Sequence, residues 1–267
     1  MINARNYWKK FSDGARKQRP WYNVDKRQDY TSRYIDEEEK MKKKIVLFDL
    51  DGTLVNTGEG ITKCVRYALE KFGIEETDQK KLERFIGPPL EASFQREYDF
   101  SEEDAWKAVV FYRERYEDIG IWECELYPEV TETLECLSRK GYRIGVASSK
   151  PEKFCSLLMK HFGIDGYFEV IGGAISDGKA GSKAAVLADV LHRFSVSEEE
   201  KPEVVLIGDT RYDAEGAKEA GIGCIGITYG FEPDVNTMRE AGAYICDTLG
   251  EVVEYLEGRG ELGKSRW

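Results

Sequence analysis

The stretch that decides the fold is Ile45-Val46-Leu47-Phe48 followed directly by Asp49-Leu50-Asp51-Gly52-Thr53-Leu54-Val55. A short, continuous apolar run is typical of a strand that is buried on both faces of a parallel sheet. Two carboxylates stand immediately after the run, where the strand would end. The stretch therefore predicts a buried parallel strand with acidic side chains at its carboxyl end.

Three further apolar runs lie along the chain, over 142–147, 204–207 and 222–227. Amphipathic patterns with helical spacing alternate with these runs, and several end at a glycine, as helices often do. The helical patterns cover about 129–140, 151–162, 182–193 and 211–220. This alternation predicts an α/β fold with a doubly wound, Rossmann-like parallel sheet.

A long interval after the first strand breaks the alternation. Ile61, Val65, Leu69 and Phe72 share one helical face, and a second face runs from Ala105 to Ile119 after Ser101, a candidate N-cap. We interpret the interval as a small helical cap over 58–125, inserted into a core of 41–57 and 126–258. The aromatic side chains of the insertion are expected in the core of the cap.

The ends of the chain differ in composition from the middle. Of 267 residues, 39 are Lys or Arg and 50 are Asp or Glu, which gives a formal net charge of −11. Residues 1–40 alone hold 10 basic and 7 acidic side chains, a balance of +3. We interpret them as a flexible extension, with Met41 as an alternative native start, and 259–267 as a C-terminal tail. No nucleic-acid partner is expected, because the basic excess is small.

Composition also limits where in the cell the protein is expected and which metal it could bind. No window approaches the ~18 consecutive apolar residues of a membrane helix, so we expect no membrane contact and a cytoplasmic protein. The six cysteines form no CxxC pair and are interpreted as reduced core residues. With only two histidines, a catalytic metal would need oxygen ligands, which favours a hard cation such as Mg²⁺.

Polar residues follow the apolar runs where the predicted strands end. Ser148-Ser149-Lys150 follows the second run, and Gly208-Asp209-Thr210-Arg211-Tyr212-Asp213 follows the third. Ligands of open parallel sheets bind beyond the carboxyl ends of the strands, so these residues should meet Asp49 and Asp51. Close carboxylates repel unless a cation lies among them. The predicted metal residues are Asp49, Asp51, Asp209 and Asp213, although each alone could be a turn residue or a helix cap.

The Asp49–Val55 block resembles the first motif of haloacid dehalogenase-superfamily phosphatases, and the later motifs agree with it in order. The resemblance implies a phosphomonoester hydrolase, most like the phosphoglycolate phosphatase and bacterial 5'-nucleotidase branch, that acts on a small phosphorylated metabolite. It gives Asp49 the role of the nucleophile that becomes an aspartyl-phosphate, and Asp51 the role of general acid and base. Lys183 would neutralise charge at the nucleophile.

The resemblance also implies substrate ligands. Thr53 and Ser148 would donate hydrogen bonds to the phosphoryl oxygens. Ser149 is a further candidate with a turn as its alternative role, and the inserted segment offers Arg84 and the turn Ile86-Gly87-Pro88-Pro89.

Several alternatives stay open at this point. Family members often show Lys followed by Pro, whereas Lys183 is followed by Ala184, so Lys179 is a minor rival; Lys183 opens the predicted helix over 182–193, which favours it. A sugar phosphomutase of the same fold would return the phosphoryl group to a sugar. A non-catalytic module that binds a phosphorylated ligand is the other alternative. The oligomeric state, monomer or dimer, is also open.

Overall fold

A computed structural model describes residues 45–174 and 182–258, and the fold is that of these two ranges. Six strands form one parallel sheet: β1 (Ile45–Phe48), β4 (Arg143–Pro151), β5 (Val170–Ala174), β6 (Val204–Gly208), β7 (Gly223–Ile227) and β8 (Tyr244–Cys246). Their order across the sheet is β5-β4-β1-β6-β7-β8. Two short strands, β2 (Val55–Asn56) and β3 (Glu125–Leu126), pair antiparallel outside it.

Strand β1 lies in the middle of the sheet and is buried on both faces. Ile45 pairs in register with Arg143 on one side and with Val204 on the other. Alternate side chains point to opposite faces of a strand, and Val46 and Phe48 accordingly join one hydrophobic cluster while Ile45 and Leu47 join another. This two-sided burial explains why the run is apolar throughout.

Helices cover both faces of the sheet, which confirms the predicted doubly wound α/β class. The α-helices are α1 (Gly58–Glu70), α2 (Gln79–Glu83), α3 (Leu90–Tyr98), α4 (Glu102–Asp118), α5 (Val130–Arg139), α6 (Glu152–His161), α7 (Lys183–Arg193), α8 (Arg211–Ala220), α9 (Val235–Ala241) and α10 (Leu249–Leu256). Short 3-10 helices cover Gly120–Trp122, Asp165–Tyr167 and Lys201–Glu203. Helices α5, α6 and α10 contribute to the Phe48 cluster, and α7, α8 and α9 to the Leu47 cluster.

Helices α1 to α4 form the inserted segment, at the predicted place between β2 and β3. Its interior is aromatic, with the rings of Phe85 and Phe94 4.8 Å apart and those of Phe72 and Phe100 4.7 Å apart. Ser101 caps α4 as predicted, since its hydroxyl accepts a hydrogen bond from the backbone N–H of Asp104 at 3.1 Å. The division into separate core and cap domains stays a prediction.

Some expectations about the elements are wrong. Strands β5 and β8 were not predicted, because β5 is interrupted by two glycines and β8 has only three residues. Trp106 and Trp122, expected inside the cap, are 43% and 44% exposed. Ile119, expected on the buried face of α4, is 53% exposed, because the helix ends one residue earlier.

Three predictions concern residues that the structure does not describe. The extension over 1–40, the tail over 259–267 and the rival lysine Lys179 all lie outside the described ranges. Among the described residues, no helix combines the length and the apolar character needed to cross a bilayer.

Candidate active site

The turn after β1 carries the first two carboxylates. Asp49 continues the sheet, because its backbone N–H donates to the carbonyl of Ile207 at 2.8 Å. The chain then turns at Gly52, whose φ of +86° lies in the left-handed region that favours glycine. Gly52 also lies so close to Asp209 that a Cβ there would be 2.0 Å from Oδ2 of that residue. The glycine therefore allows both the turn and the close approach of a second acidic residue.

Three carboxylates meet beside the end of β1. One oxygen each of Asp49, Asp209 and Asp213 lies within 4.8 Å of the others, and all three residues are buried. Asp209 follows β6 and accepts hydrogen bonds from the hydroxyl of Thr53 at 3.2 Å and from the backbone N–H of Phe231 at 2.8 Å. The predicted convergence of acidic groups from β1 and β6 is present in the structure.

Asp213 has two roles in the geometry. Its Oδ2 accepts hydrogen bonds from the backbone N–H and the hydroxyl of Thr210, at 3.0 and 2.7 Å, and so caps the start of α8. Its Oδ1 lies 2.7 Å from Nζ of Lys183. Asp213 is thus both a cap residue and a member of the acidic group.

Lys183 is a buried cation that contacts two of these three carboxylates, Asp49 and Asp213. It is the first residue of α7, a helix that Ser182 caps by accepting a hydrogen bond from the backbone N–H of Ala185. Its Nζ donates to Oδ1 of Asp49 at 2.7 Å and to the carbonyl of Ala147 at 3.0 Å. This position supports the preference for Lys183 among the candidate lysines.

Asp51 stands apart from the three-carboxylate group. Nζ of Lys150 donates to both of its carboxylate oxygens at 2.9 Å, and the hydroxyl of Thr57 donates to Oδ1 at 2.7 Å. The side chain predicted as a metal residue is therefore paired with a lysine from the end of β4. The pairing leaves Asp49, Asp209 and Asp213 as the acidic group that could hold an ion.

The electrostatics of the site show a shortage of positive charge. Burial raises the pKa of Asp49 to about 6, Lys183 opposes the rise, and Asp213 and Asp51 add to it. Burial likewise raises the pKa of Asp209 well above its ordinary value, with Asp213 and Asp49 contributing. The four carboxylates and the two lysines leave a formal charge of −2 when all are ionised. An oxygen-only donor set with this charge fits a hard divalent cation.

A cavity of about 410 Å³ opens onto these groups. Its core side includes Asp49, Asp51 and the predicted substrate residues Ser148 and Ser149. The inserted helices supply the opposite wall, which includes the predicted Gly87-Pro88-Pro89 turn together with Gln95, Tyr112, Arg113 and Tyr116. The site is thus enclosed between the sheet and the insertion.

Two predicted substrate residues lie elsewhere. The hydroxyl of Thr53 is fully buried and directed at Asp209, so Thr53 holds an acidic residue and does not line the cavity. The Arg84 side chain is 63% exposed and pairs with Glu97 at 3.1 Å. Arg84, the residue that follows α2, does not line the cavity, and its contact with substrate stays a prediction.

Known proteins are similar to this chain in sequence and in fold. A family model described as haloacid dehalogenase-like hydrolase matches residues 46–227. The chain belongs to that family. It is 38% identical over 212 residues to a 5'-nucleotidase of Pseudomonas aeruginosa, covering 79% of this chain and 95% of the relative. It is 30% identical over 227 residues to phosphoglycolate phosphatase 1 of the same organism, covering 82% of each.

A solved structure of protein tyrosine kinase A (PtkA) from Mycobacterium tuberculosis shares the fold. It has a TM-score of 0.70 and 31% identity, and the match covers 80% of this chain and 99% of that chain. Because the chain belongs to the haloacid dehalogenase-like hydrolase family and is similar to the two curated phosphatases, it is a phosphatase of the haloacid dehalogenase type.

The sequence pattern left several contributors to the site unassigned. Lys150 was expected to meet Asp49 and Asp51 with the other residues after the second run, but its pairing with Asp51 was not predicted. The hydrogen bonds from Thr57 to Asp51 and from the backbone N–H of Phe231 to Asp209 were not predicted, because neither a single threonine nor a main-chain N–H forms a recognisable sequence motif. Gln95 and Arg113 reach the cavity from helices whose packing a pattern does not reveal.

Proposed function

We propose that the chain is a Mg²⁺-dependent phosphomonoester hydrolase in which Asp49 forms an aspartyl-phosphate. The observation that carries the proposal is the gathering of Asp209, Asp213 and Lys183 around the Asp49 carboxylate. A bound Mg²⁺ would be held by Asp49, Asp209 and Asp213, and would supply positive charge to the phosphoryl oxygens. The oxygen-only donor set supports Mg²⁺ over a softer metal.

The two carboxylates after β1 take different roles because their partners differ. An oxygen of Asp49 attacks phosphorus, the bond from phosphorus to the leaving oxygen breaks, and Asp51 gives that oxygen a proton. Water then attacks the phosphorus of the aspartyl-phosphate, the bond from phosphorus to the Asp49 oxygen breaks, and Asp51 takes a proton from the water. Free phosphate leaves, Asp49 is again a carboxylate, and Asp51 is again protonated, as it was before the first step.

Charge and hydrogen bonding at the phosphoryl group come from the surrounding strand ends. Lys183 donates to Asp49, so its charge is positioned to offset the negative charge that the phosphoryl oxygens bring. Ser148 is buried and lines the cavity, where its hydroxyl can donate to a phosphoryl oxygen. Thr53 contributes indirectly, by holding Asp209.

The substrate class is a small phosphorylated metabolite, either a nucleoside 5'-monophosphate or phosphoglycolate. The cavity of about 410 Å³ has room for roughly a dozen waters at ~30 Å³ each, enough for a phosphorylated metabolite of nucleotide size. The names of the two curated relatives give the same two classes.

The first test combines a substrate panel with one substitution. Hydrolysis of p-nitrophenyl phosphate and of the panel is followed by released phosphate with MgCl₂ and after EDTA. We expect activity with MgCl₂, its reversible loss with EDTA, and a fall in kcat of about 10³-fold or more in Asp49→Asn. Asp118→Asn is the matched control, because the same change is made at an exposed residue at the end of α4.

The outcomes separate the alternatives. Near-normal turnover by folded Asp49→Asn would remove Asp49 as the nucleophile. No hydrolysis of any panel member by folded wild-type protein would favour a binding module. Isomerisation of a sugar phosphate with little release of free phosphate would favour a phosphomutase. Transfer of a phosphoryl group to a protein tyrosine would favour a kinase activity like that in the name of PtkA.

A further inference from the structure

The proposed chemistry leaves one buried cation at the site without a role. The Lys150 side chain is only 6% exposed, although it lines the cavity, and its Nζ donates to both oxygens of Asp51 at 2.9 Å. Lys183, the second buried lysine, contacts Asp49 and Asp213 instead. Each lysine therefore serves a different carboxylate, and the Lys150 pair includes the proposed general acid.

The contacts of Asp51 restrict the orientation of its carboxylate. Lys150 binds both oxygens, and the Thr57 hydroxyl donates to Oδ1 at 2.7 Å. Lys150 and Thr57 belong to separate parts of the chain, after Ser148 in β4 and just before α1. A carboxylate held from two directions cannot rotate freely about its Cβ–Cγ bond, so the direction in which Asp51 presents an oxygen to the cavity is set by its neighbours.

The inserted helices hold Lys150 from the other side. Its Nζ lies 5.1 Å from the ring centroid of Tyr116, a distance at which a cation and an aromatic ring attract. Tyr116 stacks on Tyr112 with centroids 5.3 Å apart and meets the edge of Phe154 at 5.3 Å. The ammonium group is therefore confined between Asp51 of the core and a packed aromatic wall on α4.

We propose that Lys150 is a positioning residue that aims the Asp51 carboxylate at the leaving-group oxygen, and that the α4 wall keeps Lys150 in place. The inference rests on the proposed function, in which Asp51 transfers the proton. Stability alone does not account for the pair, because a buried ion pair replaced by apolar groups of similar size is often neutral or stabilising. Substitution of Lys150 should therefore weaken proton transfer more than substrate binding.

The test compares two substrates that differ in their need for a proton. p-Nitrophenolate leaves readily without one, whereas the ribose oxygen of AMP requires one. In Lys150→Met, we expect the single-turnover rate of Asp49 phosphorylation, the step in which Asp51 gives up its proton, to fall by about 10-fold or more further with AMP than with p-nitrophenyl phosphate, with substrate affinity changed less than about 3-fold. General acid catalysis is worth about 10²–10⁴-fold, so the difference is measurable. Asp51→Asn should show the same pattern.

Two further variants make the test independent of folding and of charge loss. Lys150→Gln keeps one donor for Asp51 without the charge and should give the same pattern in a weaker form, with folding checked by circular dichroism. The double variant Lys150→Met/Asp51→Asn should be no slower with AMP than Asp51→Asn alone, because both act on one step. Lys153→Met is the matched control, since Lys153 pairs with Glu117 at the surface.

Each result decides for or against the proposal. Equal losses of the phosphorylation rate with both substrates, in either Lys150 variant, would overturn it in favour of a purely structural lysine. Weaker substrate binding with an unchanged phosphorylation rate would overturn it in favour of direct substrate binding. Failure of wild-type protein to hydrolyse any member of the phosphorylated-metabolite panel would instead overturn the proposed function, whereas wild-type hydrolysis with normal Lys150 variants would overturn the positioning role alone.

Discussion

The close approach of Gly52 to Asp209 gives a sharp test of how the acidic group is built. In Gly52→Ala, the new Cβ would lie 2.0 Å from Oδ2 of Asp209 and 2.7 Å from the ring of Phe231. Ordinary contacts between heavy atoms are about 3.5 Å, so Asp209 or the turn must move by roughly 1.5 Å. Displacement of this size moves a proposed metal ligand away from Asp49 and Asp213.

We expect Gly52→Ala to weaken Mg²⁺ binding by about 10- to 100-fold, the usual effect of disturbing the groups around a metal site. Its kcat/KM should fall by about 10²-fold, because an ångström of misplacement has that effect on catalysis. Calorimetric titration with MgCl₂ measures the affinity without relying on activity. Thermal unfolding with and without MgCl₂ gives a second reading, because a ligand stabilises the folded state that binds it.

Gly73→Ala is the matched control for this substitution. Gly73 has a similar φ of +73°, but a Cβ there meets no atom within 4 Å. Both variants carry the backbone penalty of a left-handed alanine, about 1–2 kcal/mol, which lowers Tm by a few degrees. Only Gly52→Ala should lose Mg²⁺ affinity. If both variants bind Mg²⁺ like the wild type, the claim that Gly52 places Asp209 is refuted.

Two further predictions concern pH and the inserted segment. Because burial raises the pKa of Asp49 to about 6, the metal-free folded state holds this proton more tightly than the unfolded state, and stability falls by up to roughly 3 kcal/mol as pH rises from about 4 to 6. Unfolding in EDTA should show this slope, and Asp49→Asn should make it shallower, while Asp209, whose pKa is also raised, supplies the remaining slope; an unchanged slope would contradict the assignment. Arg84→Ala should leave KM unchanged, because Arg84 pairs with Glu97 outside the cavity; a several-fold rise would return Arg84 to the site.

Much of the fold could be predicted because its strands are buried on both faces. Ile45–Phe48 and Val204–Gly208 are apolar throughout, so a short pattern was enough to find them. Strand β5 was not predicted because Gly172 stands where α7 packs closely: a Cβ at this position would lie 2.2 Å from Val190. The close packing requires a glycine, so the strand lacks the continuous apolar run that identified the predicted strands.

The residues of the site also divide into those that the sequence could place and those that it could not. Asp49 and Asp209 could be placed because each follows a predicted buried strand, whereas Lys183 was assigned through the family resemblance. Arg84 could not be placed, because the direction of a side chain just after a short helix depends on packing that the sequence does not display. Lys150 was expected near Asp49 and Asp51, but a strand-end pattern does not show which carboxylate a lysine contacts.

The paired strands β2 and β3 have a consequence for how this architecture can vary. Val55 pairs with Leu126, and Asn56 with Glu125, so the excursion containing α1 to α4 leaves and rejoins the sheet-bearing part at adjacent points. A segment with neighbouring ends can be exchanged for one of another size without altering the spacing of the strands it interrupts. Grafting the equivalent excursion from a relative between residues 56 and 125 should therefore leave the sheet intact, but it would also replace Thr57 and Tyr116, the neighbours of Asp51 and Lys150.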